Sequence, residues 1–222
     1  MQKYIDDPLL IDGRKFDIRT YAMLTSVNGH LKGFAYEDGY LRTSSATYSG
    51  SNFEDRMIHL TNDSIQKNSV DYGKYEKGNK IDYLKFQDYL DRNHKDVDVC
   101  FTRDVMPQIK RLTSDCFRAV AHEIDPNRRQ NTFEIFGLDF MLDENFNLYL
   151  IEVNTNPVLD MSNPVMHNLV PAMLNNALRV VVDPLFMPAE HVKAHAYDGC
   201  ELHKFELVFD EALDTEQSPY LN

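Results

Sequence analysis

The stretch FEIFGLDFMLDENFNLYLIEVN, residues 133–154, carries the pattern that decides the fold. Apolar and polar residues alternate on both sides of a short polar segment, which predicts two β-strands joined by a turn. One face of this predicted hairpin collects apolar side chains from both strands, namely Phe136, Leu138, Phe140, Leu142, Tyr149, Ile151 and Val153. The other face carries three oxygen-bearing side chains, Asp139, Glu152 and Asn154.

The register of the hairpin decides how close the acidic residues come. If Asp143 pairs with Leu148 around a loop at residues 144–147, Asp139 lies directly across from Glu152, with their Cβ atoms about 5 Å apart. Carboxylates at that distance repel each other, and Mg²⁺, which prefers oxygen ligands, would compensate the repulsion. The alternative is a solvent-facing strand whose acidic residues repel only weakly. The hairpin alone leaves both interpretations open.

Length and composition indicate a globular protein. The 222 residues, 43% of them hydrophobic, can bury a core in one large domain or two small ones. The net charge of −12 argues against nucleic acid and anionic membranes as partners, because both favour basic surfaces. No apolar run approaches the roughly 20 residues that span a bilayer, and the first residues lack the apolar core of a signal peptide. Three widely spaced cysteines without a CxxC pair predict reduced thiols in an intracellular protein.

The rest of the chain predicts further strands and helices. Strands are expected at residues 2–5, 14–26, 31–36 and 39–43, with a turn at Glu37 and Asp38 between the last two. Helices are expected at residues 82–93, 107–124 and 164–182, the last with Asn163 as its N-cap.

Two segments have the composition of irregular structure. Residues 69–80, with two glycines and many charges, are typical of a surface loop. Residues 187–222 are rich in acidic residues, and we expect a partly disordered tail there apart from a candidate strand at residues 205–209. We expect residues 1–186 to form the folded domain.

Charged residues alternate along one face of the predicted strand 14–26. Lys15, Asp17 and Arg19 place a cation, an anion and a cation on the same side, and Arg42 ends another strand. Such a row suits a clamp for phosphate oxygens and ribose hydroxyls. It equally suits a solvated strand face with salt bridges worth less than about 1 kcal/mol each, and without further context this second interpretation is favoured.

Other nucleotide signals are weak when taken singly. Residues 2–5 offer backbone groups for an adenine edge, and Thr61 with Asn62 reads equally well as a helix cap. Neither the P-loop pattern nor the G-x-G-x-x-G pattern occurs, and no serine nucleophile motif is present. The eight histidines are scattered, without metal-binding spacing, which predicts structural or surface roles.

The order of these motifs resembles the tubulin tyrosine ligase-like family, whose members have an ATP-grasp fold. The resemblance extends over about residues 2–186. The matching runs are QKYI (2–5), GRKFDIR (13–19), LRTSS (41–45), HLTN with SIQK (59–67), YGKYEKGN (72–79), FGLDFM (136–141) and IEVNTNP (151–157).

The resemblance implies an α+β fold and a set of site residues. The expected architecture is the C-terminal lobe of an ATP-grasp domain, a mainly antiparallel sheet flanked by helices. ATP contacts are implied for Gln2, Lys3, Tyr4, Ile5, Lys15, Asp17, Thr61 and Asn62. Arg19 and Arg42 would face the acceptor and the transferred group as catalytic residues. Asp139, Glu152 and Asn154 match the Mg²⁺ ligands, the same residues that the hairpin pattern indicates.

The implied activity is ATP-dependent ligation of a free amino acid to a carboxylate of the tubulin C-terminal tail through an acyl phosphate. The forms of GRKFDIR, SIQK and YGKYEKGN favour tyrosine as the added residue, with glutamate or glycine as alternatives. An inactive fragment that binds tubulin also stays open, whereas the HLTN and IEVNTNP runs argue against an ATP-grasp ligase for small metabolites. The resemblance further implies a cytoplasmic monomer associated with the cytoskeleton or cilia.

The beginning of the chain departs from the family pattern. Members of the family have a domain and further nucleotide-binding lysines before QKYI, and this chain begins at Met1. We therefore expect a truncated copy that, alone, binds ATP weakly or not at all.

Overall fold

A computed structural model describes residues 2–186 and 203–217. The strands are β1 (Leu10–Ile11), β2 (Arg14–Val27), β3 (His30–Thr47), β4 (Lys80–Asp82), β5 (Thr132–Leu142), β6 (Leu148–Asn154) and β7 (Phe205–Asp210). The α-helices are α1 (Arg56–His59), α2 (Asp63–Gln66), α3 (Tyr83–Asn93), α4 (Met106–Ile124), α5 (Pro164–Val181) and α6 (Glu211–Gln217). Single turns of 3₁₀- and π-helix occupy Lys77–Asn79 and Phe101–Val105.

All seven strands join one antiparallel sheet with the main order β4-β3-β2-β5-β6. β1 pairs with β2, and β7 pairs with β3. The long β2–β3 hairpin closes at Asn28-Gly29, where both residues have positive φ. A two-residue turn of this kind matches the twist of the strands and favours Asn-Gly. The predicted α+β fold with a mainly antiparallel sheet is confirmed.

The two faces of the sheet are covered to different extents. On one face, α3 and α4 bury a continuous core that includes Phe16, Ile18 and Phe140. On the other face, α5 packs on a smaller cluster that includes Tyr21 and Met23. Because the second cluster covers only part of its face, the neighbouring part of β2, β3, β5 and β6 is left for polar side chains. No helix in the described ranges is long and apolar enough to cross a membrane.

Several predicted elements are confirmed. β2 begins and ends within one residue of its prediction, and α3 and α4 begin within one residue of theirs. The side chain of Asn163 caps α5 by accepting a hydrogen bond from the Met166 N–H at 3.1 Å. The candidate strand at residues 205–209 is β7, so part of the predicted tail belongs to the sheet. Residues 187–202 and 218–222 of that tail lie outside the described residues.

Three predictions for the strands and loops are wrong. Residues 2–5 form no strand, because their contacts are side-chain contacts such as the one from Gln2 Nε2 to the Ile151 carbonyl at 3.2 Å. The predicted turn at Glu37 and Asp38 is absent, because β7 and β4 pair with successive parts of β3 and keep it extended. Residues 69–80 are not wholly a surface loop, because Asn79 is buried against β3 and Lys80 begins β4.

The β5–β6 hairpin has a different register near its turn. Leu142, not Asp143, lies opposite Leu148, so the predicted register there is wrong. A bulge beyond the Phe140–Leu150 pair shifts the register by one residue, and Asp139 faces Glu152 as predicted.

The same bulge changes which side chains of β6 face the core. Leu148 is buried and Leu150 packs against the core. Tyr149 lies opposite Met141 and is exposed, so the prediction that it shares the apolar face is wrong. Val153 lies opposite the core residue Leu138, on the apolar face as predicted, but it is exposed because β6 is the edge strand.

Asp143 organises the hairpin turn. Its Oδ1 accepts hydrogen bonds from the backbone N–H groups of Asn145 and Asn147, both at 2.9 Å. Its Oδ2 accepts from Asn147 Nδ2 at 2.9 Å and from the Tyr149 hydroxyl at 3.1 Å. Burial opposes the charged form, but these hydrogen bonds hold the pKa of Asp143 below its ordinary value of 3.8.

We expect Asp143→Ala to lower the free energy of unfolding by about 1–2 kcal/mol, because it removes every acceptor of these bonds. A carboxylate with a depressed pKa stabilises the fold above its unfolded-state value and loses that effect as the pH falls through the folded-state value. The difference between wild type and variant in urea unfolding should therefore be full at neutral pH and shrink below about pH 4. Asp88→Ala, at an exposed position on α3, is the control. Equal unfolding curves for wild type and Asp143→Ala at pH 7 would contradict this role.

Candidate functional site

A row of polar side chains lies on the part of the second sheet face that α5 does not cover, and these side chains are nevertheless buried. Lys15, Asp17 and Arg19 alternate with the core residues of β2 and point to the same face as Tyr21 and Met23. Arg42 lies opposite Asp17 on β3, and Asp139 lies opposite Arg19 on β5. All five charged residues are at most 8% exposed. The interpretation as a solvated strand face is therefore wrong.

Four of these residues form one connected ion cluster. Arg42 donates to both oxygens of Asp17, at 2.7 and 2.6 Å, and to Asp139 Oδ2 at 2.6 Å. Arg19 donates to Asp139 Oδ2 at 2.9 Å and also, through Nε, to Oδ1. Thr61 completes the cluster by donating to Asp17 Oδ2 at 2.5 Å. The two carboxylates are thus held between two guanidinium groups.

The cluster separates the protonation behaviour of the two facing carboxyl groups. Burial disfavours the charged form of Asp139, but the hydrogen bond from Arg19 and the charges of both arginines hold its pKa below the usual range. The hydrogen-bonded contact with Asp139, together with burial, raises the pKa of the Glu152 carboxyl. The repulsion inferred from the sequence is therefore present between these two groups, and arginines compensate for it on the Asp139 side only.

A glycine allows Arg19 to lie close to β5. A Cβ atom on Gly137 would lie 3.1 Å from Arg19 Nη1 and 2.9 Å from the Pro157 Cβ atom. Any other residue would push the guanidinium group or the loop after β6 away from the strand. Close packing against Arg19 and Pro157 therefore explains why the FGLDFM run has a glycine at position 137.

A cavity of about 330 Å³, here called the first cavity, opens beside the ion cluster. It brings together every residue predicted to bind ATP, namely Gln2, Lys3, Tyr4, Ile5, Lys15, Asp17, Thr61 and Asn62. Arg42, Asp139 and Glu152 line the same cavity. Although residues 2–5 are not a strand, they form one wall of it. Apolar contact comes from Leu60, Met141 and Ile151.

A second cavity of similar volume is also lined by Arg42. Arg19 and Asn154, the two predicted site residues outside the first cavity, line it. Further lining comes from residues that sequence reasoning missed as site residues, including Asp63, Lys67, Lys80 and Asp160. The sequence contained a signal for two of these residues, because Lys67 ends the SIQK run and Lys80 directly follows the YGKYEKGN run. Arg42, Asn62 and Glu152 border both cavities, which therefore meet at these residues.

The three predicted Mg²⁺ ligands lie close together on β5 and β6. Asp139 and Glu152 are cross-strand neighbours, and the Asn154 amide donates to Glu152 Oε1 at 3.2 Å. Among the described residues no group of three or more His, Cys, Asp or Glu side chains has a geometry that suits a metal ion. The candidate set is thus two carboxylates and one amide. Such a set fits Mg²⁺, which is often held by one or two carboxylates and completes its shell with phosphates and water.

A buried pair outside the predicted site holds the loop before β4 in place. Both guanidinium Nη atoms of Arg14 donate to the Glu76 carboxylate, and Thr43 donates to Glu76 Oε2 at 2.8 Å. Asn79 adds bonds to the Thr43 carbonyl and the Ser45 hydroxyl, both at 2.9 Å. This network fixes the segment that leads to Lys80 in the second cavity. The sequence pattern contained no signal for it.

Comparisons with known proteins identify the family of this chain. The sequence profile of the Tubulin-tyrosine ligase family matches residues 1–190. Tubulin glycylase 3C of Tetrahymena thermophila is 35% identical over 192 residues, 82% of this chain and 17% of the relative. Tubulin glycylase 3A of Drosophila melanogaster is 36% identical over 217 residues, 96% of this chain and 20% of the relative. A probable tubulin polyglutamylase of Bos taurus is 32% identical over 189 residues, 81% of this chain and 38% of the relative. The chain thus spans about a fifth of the two glycylases and 38% of the polyglutamylase.

Proposed function

The chain belongs to the tubulin-tyrosine ligase family, and on that premise we propose that it forms the nucleotide- and Mg²⁺-binding part of an ATP-dependent ligase that modifies tubulin. The observation that carries the proposal is the first cavity, which is lined by Lys15, Asp17, Thr61 and Asn62 together with Asp139 and Glu152. A ligand with a phosphate chain, a ribose and a divalent cation would find a counter-charge, hydroxyl acceptors and oxygen ligands there.

Each wall of the first cavity has a distinct part in binding ATP. The backbone of residues 2–5 with Met141 and Ile151 supplies the mixed apolar and polar lining that suits a base. Lys15 supplies a cation for phosphate oxygens. Asp139 and Glu152 in this cavity, together with Asn154 at its border with the second cavity, would hold Mg²⁺, which when bound screens the negative charge of the phosphates. Position and electrostatic stabilisation would account for much of the catalysis, in keeping with the absence of a nucleophile motif.

In this proposal, Arg42 and Arg19 would bind the acceptor carboxylate. Arg42 borders both cavities, and Arg19 lines the second. Within the described residues, both use Nε and Nη2 in the ion cluster and no hydrogen bond of either involves Nη1. The free Nη1 groups suit a carboxylate in the second cavity. That carboxylate would take the γ-phosphoryl group from ATP, which gives an acyl phosphate and releases ADP. The amine of the free amino acid would then attack the acyl carbon, which forms the amide bond and releases phosphate and a proton.

The relatives favour a different added residue from the one suggested by the sequence motifs. Two are tubulin glycylases and one is a probable tubulin polyglutamylase. The preference for tyrosine gains no specific support from them. We therefore propose glycine or glutamate as the added amino acid, and association with the cytoskeleton as a consequence of acting on tubulin.

The proposal predicts incorporation of labelled glycine or glutamate into tubulin by the full gene product, with both ATP and Mg²⁺ required. Tyrosine should be incorporated at least about tenfold more slowly. Reactions without ATP, or with EDTA, serve as controls and should show background incorporation.

The outcome of this assay separates three interpretations of the site. Preferred incorporation of tyrosine would overturn the choice of amino acid and leave the ligase assignment intact. Tubulin binding without incorporation of any of the three amino acids would overturn the ligase assignment and favour a binding module.

A further inference from the structure

His59 is a buried side chain at the end of α1, outside the ion cluster. It is 9% exposed and lies among aromatic rings. Its ring stacks on Phe53 with a centroid distance of 5.5 Å and meets Tyr4 and Tyr48 edge-on at 5.8 Å. His59 and Tyr4 both line the first cavity, so the hydrogen bonds of His59 can affect the position of side chains in that cavity.

The hydrogen bonds of His59 define its tautomer. Nε2 lies 2.7 Å from the carbonyl oxygen of Asn52. A carbonyl oxygen only accepts, so Nε2 carries the proton. In the neutral ring Nδ1 is then an acceptor, and the Tyr4 hydroxyl 2.7 Å away must donate to it.

Lys15 extends this chain of hydrogen bonds toward the cavity. Its Nζ lies 3.2 Å from the Tyr4 hydroxyl oxygen and 4.6 Å from the centre of the Tyr4 ring. An ammonium group only donates, so the Tyr4 oxygen accepts from Lys15 while its own proton goes to His59. The directions of all three bonds are therefore consistent: Lys15 donates to Tyr4, Tyr4 donates to His59, and His59 donates to Asn52.

Lys15 depends on this contact more than the other buried cations do. Among the described residues its Nζ has no carboxylate within ion-pair distance, whereas Arg14, Arg19 and Arg42 are all paired with carboxylates. Burial lowers the pKa of the Lys15 ammonium, and the nearby charge of Asp17 opposes that change. The Lys15 ammonium has three N–H donors: one is bound to the Tyr4 oxygen, and two are left for a ligand.

We propose that His59 is a positioning residue that, as its Nε2–H tautomer, orients the Tyr4 hydroxyl and thereby holds Lys15 in place for the phosphate oxygens of ATP. The proposal rests on the proposed nucleotide binding in the first cavity. A histidine that only joins α1 to the loop at Asn52 would need the Nε2 bond alone. The positioning role needs the Nδ1 bond, so the two roles differ in which ring nitrogen matters.

Two substitutions separate these roles. His59→Gln keeps a donor near the position of Nε2 and loses the acceptor at Nδ1, whereas His59→Asn keeps an acceptor near Nδ1 and loses the Nε2 donor. We expect His59→Gln in the full gene product to weaken Mg-ATP binding about five- to tenfold, and His59→Asn to weaken it clearly less. Calorimetric titration gives the affinities, and His30→Gln, at an exposed position, is the control. The reverse order, or equal affinities for the two variants, would overturn the positioning role.

A double substitution tests whether His59 acts through Tyr4. Tyr4→Phe removes the hydroxyl and keeps the ring above Lys15, and it should weaken ATP binding as His59→Gln does. Because both changes break one chain of hydrogen bonds, adding His59→Gln to Tyr4→Phe should weaken binding no further. Additive losses would show that His59 acts independently of Tyr4 and overturn the proposal.

The reactivity of Lys15 tests the hydrogen-bond chain without nucleotide. Brief acetylation followed by mass spectrometry should show faster modification of Lys15 in Tyr4→Phe and in His59→Gln than in wild type. An unchanged rate in both variants would overturn the hydrogen-bond chain. If this rate rises while wild type binds no Mg-ATP, the proposed nucleotide site is wrong and the hydrogen-bond chain stands.

Discussion

Glu152→Gln is expected to lower amino-acid incorporation by the full gene product roughly 100-fold or more, because it removes a charge from the set of residues that would hold Mg²⁺. Glutamine has almost the same shape as glutamate, and Glu152 lies at an exposed position, so the fold should persist. The melting temperature without ligand should change little. The substitution removes no favourable charge pair, because Glu152 faces the carboxylate of Asp139, and this contact raises the pKa of Glu152.

A matched variant on the same hairpin controls for loss of charge alone. Glu134 lies exposed at the start of β5, outside both cavities. Glu134→Gln should leave incorporation within about twofold of wild type. Incorporation by Glu152→Gln at the wild-type rate would remove Glu152 from the metal site and with it the assignment of the β5–β6 pair.

Arg42→Met is expected to have the largest effect on stability, about 3 kcal/mol in the free energy of unfolding. Arg42 compensates two buried carboxylates at once, with 2.6 Å contacts to Asp17 and Asp139. Removing one partner of a buried ion pair leaves a charge without compensation, which is much worse than replacing the whole pair. After the substitution Asp17 would keep the Thr61 bond and Asp139 would keep Arg19.

Urea unfolding measures this loss. Arg92→Met is the matched control, since Arg92 is exposed on α3 and its substitution should change the free energy by no more than about 0.5 kcal/mol. A loss for Arg42→Met as small as that for Arg92→Met would show that the ion cluster contributes little to stability. It would leave the proposed role of Arg42 toward the acceptor to be judged from incorporation alone.

The alternation of the β5–β6 segment was enough to find the facing acids, but not for the reason it suggested. Near the turn the strands pair one residue away from the expected register, because Leu142 instead of Asp143 lies opposite Leu148. The bulge between Leu150 and Glu152 then restores the expected register at Asp139. Bulges depend on the packing of neighbouring strands, which a single segment does not encode. For the same reason, the position of Tyr149 on the face away from the core could not be predicted from its alternation.

The role of the polar row on β2 could not be predicted from the sequence of that strand alone. The order Lys15, Asp17, Arg19 fits a solvated face as well as a binding site. Its meaning depends on Arg42 and Asp139, which come from two other strands and are brought beside it only by the register of the sheet. Motif order over the whole chain, and not the local pattern, correctly grouped these residues.

Residues that act through contacts between loops were beyond the reach of the pattern. His59 was expected to be a structural or surface histidine, and its buried position between Tyr4 and Asn52 depends on the path of two loops. The Arg14–Glu76 pair joins residues 62 positions apart. Likewise, residues 2–5 line the cavity without forming a strand, because side chains can supply contacts where no sheet edge is used.

Crystals of the full gene product grown with a non-hydrolysable ATP analogue and Mn²⁺ in place of Mg²⁺ show whether Asp139 and Glu152 hold the metal ion beside the nucleotide. The anomalous signal of Mn²⁺ locates the ion independently of any interpretation of the density around it. We expect one peak in contact with oxygens of Asp139 and Glu152, beside a nucleotide whose phosphates approach Lys15. A nucleotide bound elsewhere would show that the first cavity is not the nucleotide site, and a peak that neither carboxylate contacts would show that these residues do not hold the metal ion.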